Sequence, residues 1–145
     1  MFWFTSDEHY GRANIIKYSN RPFNNVEEMD LALIKGNNSV VKDNDVVIHC
    51  GDFTPHGSQY AERIIKQLKG IHIFITGSHD RWMDHIEHMI NGRLISLPGY
   101  VYERKLEGKY VVACHYAMRV CLVPIMGAFK YMDIPTEIFQ VLEDS

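Results

Sequence analysis

Three apolar runs in this chain each break directly into a turn of acidic and histidine residues. Phe2-Trp3-Phe4 leads into Asp7-Glu8-His9, Val46-Val47-Ile48 leads into Gly51-Asp52, and the run from Ile71 to Thr76 leads into Gly77-Ser78-His79-Asp80. Short apolar runs bounded by turn residues read as buried strands. In an open α/β sheet, ligands bind just beyond the carboxyl ends of the strands. Turns far apart in sequence can therefore converge on one site, and His115 is a later candidate for it.

The segments between the runs carry helical signals. A helix is expected over Ala13 to Tyr18. Asn24-Asn25 offers an N-cap for a second helix from near Val26, whose Val26, Met29, Leu33 and Ile34 share one face and which is expected to fray at Gly36-Asn37-Asn38. Ser58 is expected to cap a third, with Ala61, Ile64, Ile65 and Leu68 as its stripe and Gly70 as its stop. A fourth is expected over Arg81 to Ile90, and a short strand over Leu94 to Leu97. Tyr100 to Leu106 and Lys109 to Cys114 read as a hairpin about Glu107-Gly108. The order β-α-α-β-α-β-α-β-β-β gives an α/β fold class, with a parallel half followed by an antiparallel half.

A length of 145 residues suits one domain with a sizeable core. The formal net charge of −3 implies no basic face, so nucleic-acid binding is not implied. An acidic chain can still take a phosphate ester where metal ions supply positive charge. Cys50, Cys114 and Cys121 are odd in number and lack framework spacing, which argues against a disulfide scaffold; the first two are expected to be buried thiols. Asp7, Glu8 and His9 interrupt the first apolar run, so no signal peptide is read there. No stretch is long and apolar enough for a bilayer. The expected location is the cytoplasm, with no membrane partner, and the oligomeric state is left open.

Carboxylate and imidazole donors suit Mn, Fe or Zn ions. Residues i and i+2 leave a strand on the same side, so Asp7 and His9 can grip one ion. The carboxylate of Asp52 can bridge two. A pair of ions roughly 3.5–4 Å apart forms a clamp for in-line attack at phosphorus. Arg12, just after the first ligands, is placed to meet a phosphate oxygen. His85 and His88 read as a solvated helix face, His49 as a core or supporting histidine, His72 as structural, and His56 as a surface residue within reach of substrate.

These ordered motifs resemble those of the calcineurin-like metallophosphoesterase superfamily, in its small bacterial and phage branch. The pattern there is D-x-H, then G-D, then G-N-H-D, then a lone H, then G-H-x-H. Asp7-Glu8-His9, Gly51-Asp52, Gly77-Ser78-His79-Asp80 and His115 follow it, and Asn14-Ile15-Ile16, Arg21-Pro22-Phe23 and Val26-Glu27-Glu28-Met29-Asp30 also look like that branch. The resemblance runs from residue 1 to about Val120. It implies an α-β-β-α sandwich and two divalent metal ions (Mn, Fe or Zn). Asp7, His9 and Asp52 would hold the first ion. Asp52 and His115 would hold the second, with Ser78 where the family has an asparagine ligand. His79 would be the catalytic residue, stabilising the transition state or protonating the leaving oxygen, and Asp80 would orient its surroundings. The implied activity is hydrolysis of a small phosphomonoester or phosphodiester by a metal-activated water.

Two departures qualify that expectation. Ser78 is a shorter and poorer donor than asparagine, and no histidine follows His115, so G-H-x-H is absent. The second metal site is expected to be weakened and the second sheet incomplete at its C-terminus. The chain accordingly divides into a metallophosphoesterase-like domain over residues 1–120 and an atypical tail over 121–145. The tail reads as a frameshift product. Met132 and Asp133 encode glycine one frame away, and the codons through Glu137 then permit Y-G-H-S-H-G. Such a tail is expected to be poorly ordered or loosely docked, although its apolar content could form a helix near Thr136 to Leu142. The rival expectation is an impaired remnant of the family that binds at most one ion.

Overall fold

Strand β1 (Phe2–Thr5) alternates in burial, with Trp3 and Thr5 inside. Strand β2 (Val46–His49) lies between β1 and β3 (Ile71–Phe74), and its Val47 and Ile48 are both fully enclosed, as a central strand covered on both faces requires. The three run parallel, with Thr5 opposite His49 and His49 opposite Phe74, so their carboxyl ends coincide. A short strand β8 (Phe139–Gln140) pairs antiparallel with Trp3 and Phe4, giving the sheet order β3-β2-β1-β8. The computed structural model describes residues 1–85, 89–90, 93–94, 99–106, 108–116 and 139–140.

Helix α1 (Ala13–Tyr18) and helix α2 (Val26–Val40) join β1 to β2. Asn25 caps α2, its side-chain oxygen accepting from Glu28 N at 2.8 Å, while the Glu28 carboxylate accepts from Asn24 N at 2.9 Å. The expected fraying at Gly36-Asn37-Asn38 does not occur. The Asn37 amide donates to Lys69 O at 3.2 Å and the Asn38 amide to Gln67 O at 2.8 Å, while Lys69 N donates to Asn38 Oδ1 at 2.8 Å. Those bonds tie the last turn to the neighbouring loop and offset the weak propensity of glycine and asparagine.

Helix α3 (Ser58–Ile65) begins one residue earlier than expected, with Gly57 as its N-cap and Ser58 as its first residue. Leu68 lies past its end yet stays buried in the same cluster as Ala61, Ile64 and Ile65. That cluster also takes Tyr10, Ile34, Phe53, Phe74, Trp82 and Met83, while Trp3, Val41 and Val47 pack together separately.

The expected Arg81 to Ile90 helix is not formed. A single 3₁₀ turn covers Arg81–His85, and β4 (Met89–Ile90) then pairs with β5 (Arg93–Leu94). Trp82 and Met83 are both buried in the main cluster, and Trp82 Nε1 also donates to Asp80 Oδ1 at 3.0 Å, which fixes the turn by tertiary contacts. His88 and residues 95–97 of the expected strand lie outside the described residues. Strands β6 (Val101–Leu106) and β7 (Lys109–Cys114) form the expected hairpin, with Leu106 opposite Lys109. Thr76 N donates to Gly99 O at 2.7 Å and holds the hairpin's start against the end of β3. The result is a mixed α/β fold, a parallel sheet beside a small antiparallel one.

Cys50 and Cys114 are partly rather than fully buried. The tail's expected helix is contradicted at Phe139–Gln140, where the backbone bonds instead to the open edge of β1; the rest of that segment lies outside the described residues. Among the described residues, no helix is long and apolar enough to cross a membrane.

Candidate metal centre

The turns after β1 and β2 run side by side. Asp7 N donates to Gly51 O at 3.0 Å, His9 N to Asp52 O at 3.0 Å, and Tyr10 N to Phe53 O at 2.8 Å. Asp7, His9 and Asp52 all adopt left-handed backbone, at φ 57°, 53° and 59°. Outside glycine such residues are uncommon, although Asp and His tolerate it best, and each costs on the order of 1 kcal/mol or more. The chain holds them there with the paired turns and with Arg21, whose guanidinium donates to Asp7 O at 2.6 Å and Glu8 O at 2.7 Å.

Two glycines are required by close approach. A Cβ on Gly77 would collide with the backbone nitrogen and carboxylate of Asp52, and one on Gly51, at φ 97°, with the ring of His115. Asp80, almost fully buried, fastens the third turn to the second. Its Oδ2 accepts from Asp52 N at 2.6 Å and Gly77 N at 2.9 Å, and its Oδ1 from Thr54 N at 3.2 Å and Trp82 Nε1 at 3.0 Å.

Asp52 is the centre of the arrangement. His9 Nε2 lies 3.7 Å from its Oδ2 and 3.8 Å from Asp7 Oδ1, and His115 Nε2 lies 3.5 Å from its Oδ1. Two donors bound tetrahedrally at about 2.1 Å from one ion stand about 3.4 Å apart. The separations on both sides of Asp52 therefore fit shared divalent ions, and the oxygen and nitrogen donors suit them. Asp7, Asp52 and His115 form one candidate ligand group, and His9, Asp52 and His79 another. In the second, His79 Nδ1 is only 2.7 Å from Asp52 Oδ2, a hydrogen-bond length, which separates His79 from the other donors.

His115 is oriented as a ligand needs to be. His115 Nδ1 donates to Cys50 O at 3.0 Å, which leaves Nε2 toward Asp52. Burial lowers His9 to about 4, against the opposing pull of Asp52, so its ring is neutral at physiological pH. Burial raises the Asp7 carboxyl despite its bond from the Ser6 hydroxyl. Burial also pushes Asp52 upward, but hydrogen bonds from the His79 side chain and backbone outweigh it and the net shift is downward. Burial, with Glu8 nearby, pushes the Cys50 thiol up to about 12, which makes it inert.

Arg12 and Ser78 both reach this centre. Arg12 Nη1 donates to His79 Nε2 at 3.0 Å and His9 Nδ1 at 3.4 Å. The exposed Ser78 hydroxyl lies 3.2 Å from both Asp52 oxygens. His56 turns away from the donors, its Nε2 lying 2.9 Å from Gly11 O. Arg21 stood out only within the Arg21-Pro22-Phe23 resemblance, and its role was not legible, because its targets are backbone carbonyls and leave no mark in the sequence. Glu8 shows only as the spacer of D-x-H, yet its carboxylate is buried against His49.

Parallel strand ends carrying paired carboxylates and imidazoles define an α/β protein with candidate ligand groups for a divalent metal ion. The chain belongs to the calcineurin-like phosphoesterase family, whose sequence model matches residues 1–139. It is 38% identical over 131 residues to the uncharacterized protein MJ1445 of Methanocaldococcus jannaschii, a match covering 86% of this chain and 74% of that one. A crystal structure of AQ665 from Aquifex aeolicus, a protein of unknown function, matches with a TM-score of 0.63 and 27% identity over 80% of this chain. The chain spans about 60% of the length of that protein. Family membership points to hydrolase chemistry at divalent metal ions.

Proposed function

We propose that this chain is a divalent-metal-dependent phosphoesterase acting on a small phosphomonoester or phosphodiester. The observation that carries the reading is the placing of Asp52, whose two oxygens face His9 on one side and His115 on the other at ligand separations. Asp7, His9 and Asp52 would hold one ion, and Asp52 with His115 a second, Ser78 being a poor additional donor. Bound divalent ions would neutralise phosphate charge and make a water nucleophilic near neutral pH.

The side chains supply the rest. Arg12 donates to His79 Nε2 at the rim of the centre, and an entering phosphate would take over the Arg12 donor and leave Nε2 free to carry a proton. With His79 Nδ1 held on Asp52, proton transfer to the leaving oxygen would pass through Nε2. Asp80 would keep Asp52 and the His79 turn in register.

The test is a Mn²⁺-supplemented assay with p-nitrophenyl phosphate and bis-p-nitrophenyl phosphate, run beside a metal titration. Turnover that needs added metal is expected. Asp52→Asn should abolish it together with metal binding, His79→Ala should lower kcat, and Arg12→Ala should raise KM. A second reading has its own observation: the sequence holds no histidine after His115. An impaired remnant would bind at most one ion and show no turnover with either ester.

A further inference from the structure

Beneath the turn that carries Asp7 and His9 lies a row of three buried polar side chains. Glu8, His49 and His72 are 3%, 2% and 1% exposed. Glu8 Oε1 is 2.6 Å from His49 Nδ1, and His49 Nε2 is 2.9 Å from His72 Nδ1. The row crosses the sheet from the end of β1 through β2 to β3, and the His49 ring stacks on Phe74 at 4.5 Å with its edge toward Phe53. None of the three belongs to either candidate ligand group.

Such a row is expensive for a core. A buried carboxylate must be desolvated, and Glu8 Oε2 has no hydrogen-bond partner among the described residues. Apolar side chains would pack there at lower cost, so stability alone does not account for it. Its position does. Glu8 lies between Asp7 and His9, both in left-handed backbone, and its side chain is the anchor that runs from that turn into the sheet. Arg21 grips the same turn from its carbonyl side.

We infer that Glu8, His49 and His72 are positioning residues, a buried tie that fixes the Asp7–His9 turn in its metal-binding shape. This deepens the metal-centre reading and rests on it. The tie works by hydrogen bonding, so an amide at position 8, which can still accept from His49, keeps it, whereas apolar replacement removes it.

The experiment compares the full chain with Glu8→Gln and with the double variant Glu8→Leu/His49→Phe. Mn²⁺ affinity is read by titration and by electron paramagnetic resonance, and folding by circular dichroism and thermal melting. The double variant is expected to melt at or above the wild-type temperature, since apolar replacement of a buried pair is commonly neutral or stabilising. Its Mn²⁺ affinity should fall by at least about tenfold, as it does when supporting shells of metal ligands are lost. Glu8→Gln should stay within about threefold of wild type by the same measure. A folded double variant that binds Mn²⁺ as wild type does overturns the inference, and so does a Glu8→Gln chain weakened more than about tenfold. The second outcome decides the matter even where the double variant does not fold. A wild-type chain that binds no Mn²⁺ overturns the metal reading and the tie together, which sets that failure apart from failure of the tie alone.

Discussion

Asp80 accepts a hydrogen bond from the backbone nitrogen of Asp52 at 2.6 Å, across the 28 residues that separate the second and third turns. The same carboxylate takes three more donors, Gly77 N, Thr54 N and Trp82 Nε1. Four donors on one carboxylate leave no room for an amide. In Asp80→Asn the amide nitrogen faces two N–H groups, whichever way it turns. The loss should be on the order of 2–4 kcal/mol of stability, with weaker Mn²⁺ binding because Asp52 moves. Thermal melting and metal titration check it. A variant equal to wild type in both would show that the Asp80 clamp is dispensable.

Gly77 offers a sharper probe of the same contact. A Cβ there meets Asp52 backbone and carboxylate atoms, and backbone cannot swing aside. Gly77→Ala should cost roughly 1–3 kcal/mol and remove metal binding. Gly57→Ala is the control, since nothing lies within 4 Å of its Cβ position; as an N-cap change it should cost at most about 1 kcal/mol, and it should bind metal as wild type does. Equal behaviour of the two variants would refute close packing as the reason for Gly77.

Much of this centre was legible in the sequence because its donors sit at strand ends, where burial alternation stops and acidic turns begin. Asp7, Asp52 and His79 declare themselves that way. The α2 helix ran past Gly36-Asn37-Asn38 because two asparagine side chains found carbonyls in a loop some thirty residues away, and no local pattern records such partners. The helix expected at Arg81 failed for a tertiary reason too: Trp82 had to reach both the core and Asp80. The roles of Arg21 and Glu8 escaped notice because one bonds to backbone and the other reads as a spacer.

Asp45 gives a pH dependence remote from the metal centre. It accepts from Lys42 N at 2.9 Å and Trp3 Nε1 at 3.1 Å, and the backbone bond from Lys42 is the main reason its carboxyl lies at about 2 instead of 3.8. A carboxyl depressed in the folded state binds fewer protons there than in the unfolded chain. Its stabilisation is therefore complete above about pH 4 and is lost as pH falls toward 2. Asp45→Asn should melt below wild type at neutral pH, and the gap should close across that window. Melting curves taken between pH 2 and pH 7 check it; a gap constant with pH would mean that the carboxylate charge is not what stabilises the contact.

The last expectation concerns the tail. Met132 has the codon ATG and Asp133 begins GA, so the frame that starts on the third base of Met132 reads GGA, glycine, whatever the synonymous choices. The codons through Glu137 then permit Y-G-H-S-H-G, and a base restored at Cys121 recreates a tryptophan codon. His115 stands at ligand distance from Asp52 and the exposed Ser78 hydroxyl is a poor further donor, so the second ion would lack the histidines that such a motif provides. Sequencing the coding DNA is the first check, and an alternative frame without G-H-x-H ends the idea. If the motif is there, the frame-restored protein should bind two Mn²⁺ per chain where the present chain binds fewer, and turn over bis-p-nitrophenyl phosphate faster. Equal stoichiometry in the two proteins would show that the tail's histidines are not ligands.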